Sequence, residues 1–268
     1  MLVVLWSVLG GYALLAVVLF FAQSSLIYHP RAYAPAVVQA LPTGLVGLRD
    51  PDGSLIGFYR PPHAGGTPQR LWFCFGGNAD QALGWDAFAD EHASPGTGFL
   101  LLEYPGYGAC AGKPSPTSML AANERAVVLL AAHLGLVLDE VHRRAGAVGH
   151  SLGAAAALQY AVKHPLRRLV LISPFTTMTA MARRTVGWPL CELLVHRFDN
   201  VARVGELAVR GLPPTTIVHG GHDEFIPVTM GRDLAAAHPD IHLSVIVGAG
   251  HNDVLAVGAG EINAAMGE

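Results

Sequence analysis

Three side chains far apart along the chain have the types and settings of a nucleophile activated by proton relay. Ser151 lies in Gly149-His150-Ser151-Leu152-Gly153, a G-x-S-x-G that follows the apolar run Ala145–Gly149 and precedes an alanine-rich one. Such a motif needs a sharp strand-to-helix turn, with small residues on either side of the serine where backbones approach closely. A serine hydroxyl attacks poorly until a base removes its proton. His251, in Gly250-His251-Asn252-Asp253 at the end of another apolar run, is placed to be that base. Asp223, in His219-Gly220-Gly221-His222-Asp223-Glu224, is placed to fix the imidazole tautomer and stabilise the imidazolium. Glu224 and Asp199 are the alternatives for the acid. His150 adjoins the serine, but across a sharp turn its ring projects away, so it reads as a packing residue. His219, His222, His238 and His242 read as structural or exposed.

A serine of this kind carries out acyl transfer, and its tetrahedral intermediate needs backbone N–H donors. Leu152, directly after the nucleophile, offers one. The other is expected from Gly76-Gly77-Asn78-Ala79, with Asn78 N–H favoured and Gly77 N–H the alternative. Three cysteines, Cys74, Cys110 and Cys191, form no CxxC pair, and the thirteen histidines form no HExxH or HxH cluster. Neither a metal nor a cofactor is therefore expected.

The elements that must position these residues alternate along the chain. Strands are expected at Gly44–Arg49, Leu55–Arg60, Arg70–Phe75, Gly98–Glu103, Ala145–Gly149, Arg168–Ile172, Thr215–Val218 and His242–Val247. Helices are expected at Ala79–Glu91, Ser118–Leu134, Leu152–His164, Pro227–Ala237 and Asn252–Met266. The first two strands, joined by Asp50-Pro51-Asp52-Gly53, read as an antiparallel hairpin. The later alternation predicts an α/β fold with a mainly parallel eight-stranded sheet and helices on both faces. Ligands of such sheets bind at the carboxyl ends of the strands, where all three candidates fall.

With 268 residues the chain suits one catalytic domain, and its net charge of −3 with scattered Lys and Arg offers no stripe for nucleic acid. No obligate protein partner is evident. The mean hydropathy of +0.39 is high for a wholly soluble chain. Its source is Met1–Tyr28, which holds no Asp, Glu, Lys or Arg. Its apolar part, about 20 residues, is long enough to span a ~30 Å hydrocarbon core as a helix. We expect residues 1–28 to be a single-pass membrane anchor, residues 29–43 a connector and residues 44–268 the catalytic domain. A cleaved signal peptide would want a basic start and a shorter apolar core. The third reading, a buried core helix, is disfavoured because hydrophobicity all round argues against a surface helix of a soluble domain. Arg31 and Arg49 lean towards a cytoplasmic catalytic domain. On this reading, removing Met1–Tyr28 would release an active enzyme.

Taken together, Gly76-Gly77-Asn78-Ala79, Glu103-Tyr104-Pro105-Gly106-Tyr107-Gly108, Gly149–Gly153, His219–Asp223 and Gly250-His251 resemble the membrane-anchored Bem-type branch of the α/β-hydrolase superfamily. The resemblance implies the α/β-hydrolase fold and the activities of that branch, which include lysophospholipases, esterases and protein depalmitoylases. Gly76 stands where the branch usually has His, and Glu103 where it usually has Asp. The resemblance leaves Tyr107 and Asn78 as candidates for lining the site. The insertion at about 174–212, rich in Phe175, Met178, Trp188 and leucines, is expected to be a small helical cap offering an acyl-binding groove or simply packing onto the domain. The function expected is hydrolysis of carboxylic esters or thioesters of lipid-like or lipidated molecules through an acyl-enzyme on Ser151. A peptidase and a non-catalytic membrane-anchored interaction protein are the alternatives.

Overall fold

The computed structural model describes residues 1–267. It opens with one 26-residue helix, α1 (Leu2–Ile27), which carries no charged residue and buries none of its side chains fully. A short α2 (Pro35–Gln39) leads to the hairpin β1 (Val46–Arg49) and β2 (Leu55–Arg60). Then come β3 (Arg70–Phe75), a 3-10 turn at Ala82–Trp85, α3 (Asp86–Glu91), β4 (Thr97–Leu102), α4 (Pro116–Leu134), α5 (Leu138–Arg144) and β5 (Ala145–His150). The chain continues through α6 (Leu152–Lys163), β6 (Leu169–Ile172), α7 (Met178–Val186), a 3-10 turn at Leu190–Leu193 and α8 (Asn200–Arg210). It ends with β7 (Thr215–Gly220), α9 (Val228–Ala236), β8 (Ile241–Ile246), α10 (Val254–Val257) and α11 (Ala259–Met266).

Among the described residues the eight strands form one sheet in the order β1-β2-β4-β3-β5-β6-β7-β8. The β1–β2 and β2–β4 pairs are antiparallel, and every pair from β4 to β8 is parallel. The central strands are buried on both faces, which is why β3, β5 and β6 read as continuous apolar runs. Side chains alternate between two cores: Leu71, Phe73 and Phe75 meet α4, α6 and α8 on one face, whereas Trp72 and Cys74 meet α3 and α11 on the other. Cys74 behaves as a small core hydrophobe, and burial pushes its thiol well above the usual range.

The departures from the sequence expectation have local causes. α4 starts at Pro116, earlier than Ser118, because Ser115 caps it through a reciprocal box with Ser118 and Pro116 is tolerated in the first turn. The expected helix at Ala79–Glu91 is a loop, a 3-10 turn and a short helix, since the Asp80 carboxylate binds Gly77 N–H and Trp85 Nε1–H instead of entering a helical turn. The last expected helix is split in two at Gly258. α5 has no counterpart in that expectation; its acidic start (Asp139, Glu140) and basic end (His142, Arg143, Arg144) match the helix dipole.

Candidate active site

β5 runs straight into Ser151, whose φ of 56° and ψ of −115° lie in a region that side chains rarely occupy. The strain is held from two sides. Ser151 N–H donates to the Ile172 carbonyl at 2.9 Å, and α6 begins at the next residue. A Cβ at Gly153 would sit 1.9 Å from the Phe75 carbonyl oxygen, and one at Gly149 would sit 2.3 Å from that of Gly153. Only glycine allows α6 to close this tightly onto β3 and β5, so the spacing of the motif is a packing requirement.

The loops after β7 and β8 bring Asp223 and His251, the candidate acid and base, together. His251 Nδ1 and Asp223 Oδ2 are 2.7 Å apart. The other oxygen, Oδ1, accepts from Phe225 N–H at 3.0 Å and Ile226 N–H at 2.7 Å. Burial works to raise the Asp223 pKa, but the bonds from His251 and the Ile226 amide outweigh it and hold the carboxyl below its ordinary value. The acid is thus an anion oriented by backbone donors and aimed at one ring nitrogen. Of the alternatives, Asp199 caps α8 by accepting from Ala202 N–H, and Glu224 is exposed.

Ser151 and His251 line the same pocket, although among the described residues no hydrogen bond joins hydroxyl and imidazole in this conformation. Such contacts commonly tighten only when substrate is bound. His150, expected to pack, lies against His251. Its ring centroid is 4.7 Å from that of His251, and its Nε2 is 3.1 Å from the His251 carbonyl oxygen. Burial and the neighbouring imidazole lower the His150 pKa to about 4, so at neutral pH it is an uncharged support. His219, buried behind Asp223, has its Nε2 2.9 Å from the Ile226 carbonyl and is likewise lowered by burial.

The loop after β3, which lines the same pocket as Ser151, carries the other candidate donors. Gly77 N–H is already bonded to Asp80 Oδ2 at 2.7 Å, which removes Gly77 from the free donors. Among the described residues Asn78 N–H and Leu152 N–H have no protein acceptor. The Asn78 side chain faces the other way, where its amide donates to the Ile27 carbonyl and its oxygen accepts from His29 N–H and the Tyr107 hydroxyl.

The pocket has a volume of about 650 Å³. Phe175 and Met178 line it, as the sequence suggested. Tyr107 and Trp188 do not. Tyr107 is fully buried and reaches the site only through its bond to Asn78, while Trp188 is 70% exposed on the outer side of the segment after α7. Sequence reasoning missed Asp80, and above all the end of α1, whose Leu19, Gln23, Leu26 and Ile27 form part of the wall. Among the described residues no three His, Cys, Asp or Glu side chains converge as a metal site.

The model of the alpha/beta hydrolase family matches residues 62–210, more than half of the chain and including the serine turn. The chain belongs to the alpha/beta hydrolase family. This hydrolase is 34% identical over 236 residues to an uncharacterized protein of Mycobacterium tuberculosis, covering 86% of this chain and 81% of that one. It is 28% identical over 153 residues to the human alpha/beta hydrolase domain-containing protein 17B, covering 57% of this chain and 49% of that one. Among solved structures, the Pyrococcus furiosus esterase PF2001 shares the fold with a TM-score of 0.64 at 15% identity, over 90% of this chain and 95% of that one. A thioesterase domain from the curacin biosynthetic pathway shares it with a TM-score of 0.57 at 15% identity, over 82% and 97%.

Proposed function

We propose that this hydrolase cleaves carboxylic esters or thioesters of acyl-bearing molecules, with Ser151 as nucleophile, His251 as base and Asp223 as the orienting acid. The observation that carries the reading is the 2.7 Å contact between His251 and a buried, anionic Asp223, at a pocket whose floor presents Ser151 on a strained turn. Ser151 Oγ attacks the acyl carbonyl carbon as His251 Nε2 takes its proton. The oxyanion is stabilised by Leu152 N–H and Asn78 N–H. Collapse of the intermediate breaks the bond to the alcohol or thiol, which leaves with the proton from His251. A water molecule, deprotonated by the same imidazole, then releases the acid and restores the serine.

The apolar wall of the pocket suits an acyl chain better than a peptide. We place the protein in the membrane-anchored Bem-type branch, with α1 as a single-pass anchor, residues 29–43 as the connector and the helical segment at 174–212 as a cap. Arg31 and Arg49 favour a catalytic domain on the cytoplasmic side. A fluorophosphonate probe tests the reading. Labelling at Ser151, together with turnover of p-nitrophenyl esters or an acyl thioester, supports it. A folded protein that is neither labelled nor active overturns it.

A further inference from the structure

α1 does not behave as a plain tether. Along its last three turns Ala16, Leu19, Gln23 and Ile27 are half-buried at helical spacing, whereas Phe20 and Phe21 on the other side are exposed. Leu19, Gln23 and Ile27 of that face line the catalytic pocket together with Met181, Leu190 and Leu194. Gln23, an amide within an apolar helix, fixes the arrangement. Its Oε1 accepts from Val195 N–H at 2.7 Å and His196 N–H at 3.4 Å, and its Nε2–H donates to the Phe20 carbonyl at 2.7 Å. Beyond the helix there is no slack, because Tyr28 is only 2% exposed and its hydroxyl contacts His196 Nδ1 at 3.2 Å.

Depth along the helix gives this wall its meaning. About 20 helical residues cross a hydrocarbon core of ~30 Å. With the polar Gln23, Ser24 and Ser25 at headgroup level, Leu19 lies about 6 Å deeper, inside the hydrocarbon. The stretch of pocket wall from Leu19 to Ile27 runs ~12 Å along the helix axis, so the cavity starts where acyl chains are and ends at Ser151. Among the described residues no Lys or Arg lines it, and the adjoining segment Gly187–Val195 carries Glu192 as its one charged residue, with Trp188 and Val195 exposed. Trp is suited to the interfacial level.

We propose that α1 is a wall of the acyl-binding site, and that the acyl chain of a bilayer-resident ester or thioester slides from the leaflet along the Leu19–Ile27 face to Ser151. Each methylene drawn into water would cost free energy, and this path avoids water. The proposal rests on the serine-hydrolase reading and names its substrate class as long-chain acyl lipids or lipidated molecules held in the leaflet that receives the carboxyl end of α1.

The test uses the full chain in phosphatidylcholine vesicles, with labelling rates of Ser151 by an ethyl and by a dodecyl fluorophosphonate. Leu19→Trp should fill the apolar end of the channel and lower the dodecyl-to-ethyl rate ratio by about tenfold or more. Leu19→Ala, a milder change, should raise the ratio or keep it while admitting longer chains. Val8→Trp, on the exposed part of α1 away from the pocket, should leave the ratio at the wild-type value. A ratio unmoved by Leu19→Trp and by Leu26→Trp, with both probes still labelling Ser151, overturns the α1 wall and leaves the hydrolase reading standing. Failure of both probes on folded wild-type protein overturns both.

Discussion

The amide of Asn78 donates to the carbonyl of Ile27 at 2.7 Å, which ties the loop facing Ser151 to the last residue of α1. The Asn78 oxygen closes the clasp by accepting from His29 N–H at 3.0 Å and Tyr107 Oη–H at 2.9 Å. One side chain therefore fixes a backbone N–H that we assign to oxyanion binding. Asn78→Ala keeps that N–H but frees the loop. It should lower kcat by about tenfold, less than the 10²–10³ expected for a deleted donor, with a smaller change in KM. Tyr107→Phe, which removes one bond of the three, should cost only a few-fold. Steady-state kinetics on a short p-nitrophenyl ester read both, and equal effects of the two variants would contradict the clasp.

Ser151→Ala and His251→Ala should each lower turnover by several orders of magnitude, and the double variant should be no worse than either single one, because the residues act as a unit. Asp223→Asn should be less severe in rate, since the nucleophile and base survive. Wild-type-like hydrolysis by Ser151→Ala in a folded protein would rule out the mechanism.

Much of this site was legible in the sequence because its constraints are local. Gly149 and Gly153 stand where a Cβ would strike backbone, and Asp223 and His251 each follow an apolar strand, so pattern and packing coincide. The hairpin was readable from its Asp50-Pro51-Asp52-Gly53 turn, and the mainly parallel sheet because strands buried on both faces leave continuous apolar runs. The order of the strands was not read from the sequence. What escaped was tertiary. Nothing near Gly77 shows that its N–H is taken by Asp80, and nothing near Trp188 shows that it faces outward. The half-buried face of α1 was invisible because nearly every side chain there is apolar, so no polar–apolar contrast marks the side that meets the domain. Gln23 is the polar side chain whose contacts mark that face, and its partners in the domain lie 172 and 173 residues away.

The glycine argument gives a paired test. Gly153→Ala would put its Cβ 1.9 Å from a backbone oxygen that cannot swing aside, and Gly149→Ala 2.3 Å from another. Both should destabilise the protein by more than ~3 kcal/mol, in the range of severe core disruptions. Gly84→Ala, whose added methyl would meet nothing within 4 Å, should be nearly neutral. Urea midpoints of the three variants, measured in the same detergent, check the contrast.

Glu103 makes stability depend on pH. The carboxyl is almost wholly buried, which raises its pKa to about 7 despite bonds from Tyr33 Oη–H at 2.5 Å and Ala82 N–H. A folded-state value above the unfolded one means that its contribution is full below the unfolded pKa and is lost as pH rises towards 7. The loss over that window is on the order of 3 kcal/mol. Glu103→Gln, which cannot ionise, should flatten this part of the stability curve between roughly pH 4.5 and 7. Unfolding midpoints across that range read the difference; parallel curves for the two proteins would show that Glu103 does not titrate there.

Removing residues 1–28 discriminates between a tether and a structural part of the site. Sequence alone suggests that the catalytic domain survives this cut as an active, released enzyme, whereas the contacts of α1 lead to the opposite prediction. The cut takes away Tyr28, which is buried in the main core, the Ile27 carbonyl that holds Asn78, and the Gln23 oxygen that binds Val195 and His196. It also removes Leu19, Gln23, Leu26 and Ile27 from the wall of the pocket that Phe175, Met178 and Leu194 line. The truncated protein should therefore hydrolyse even a short, water-soluble ester at least tenfold more slowly, with reduced thermal stability. The full-length protein in detergent, where no bilayer is present but α1 remains, should keep its rate on the same ester. Equal rates for the truncated and full-length proteins would show that Asn78 and the pocket hold their geometry without α1, and that the helix serves only to attach the enzyme.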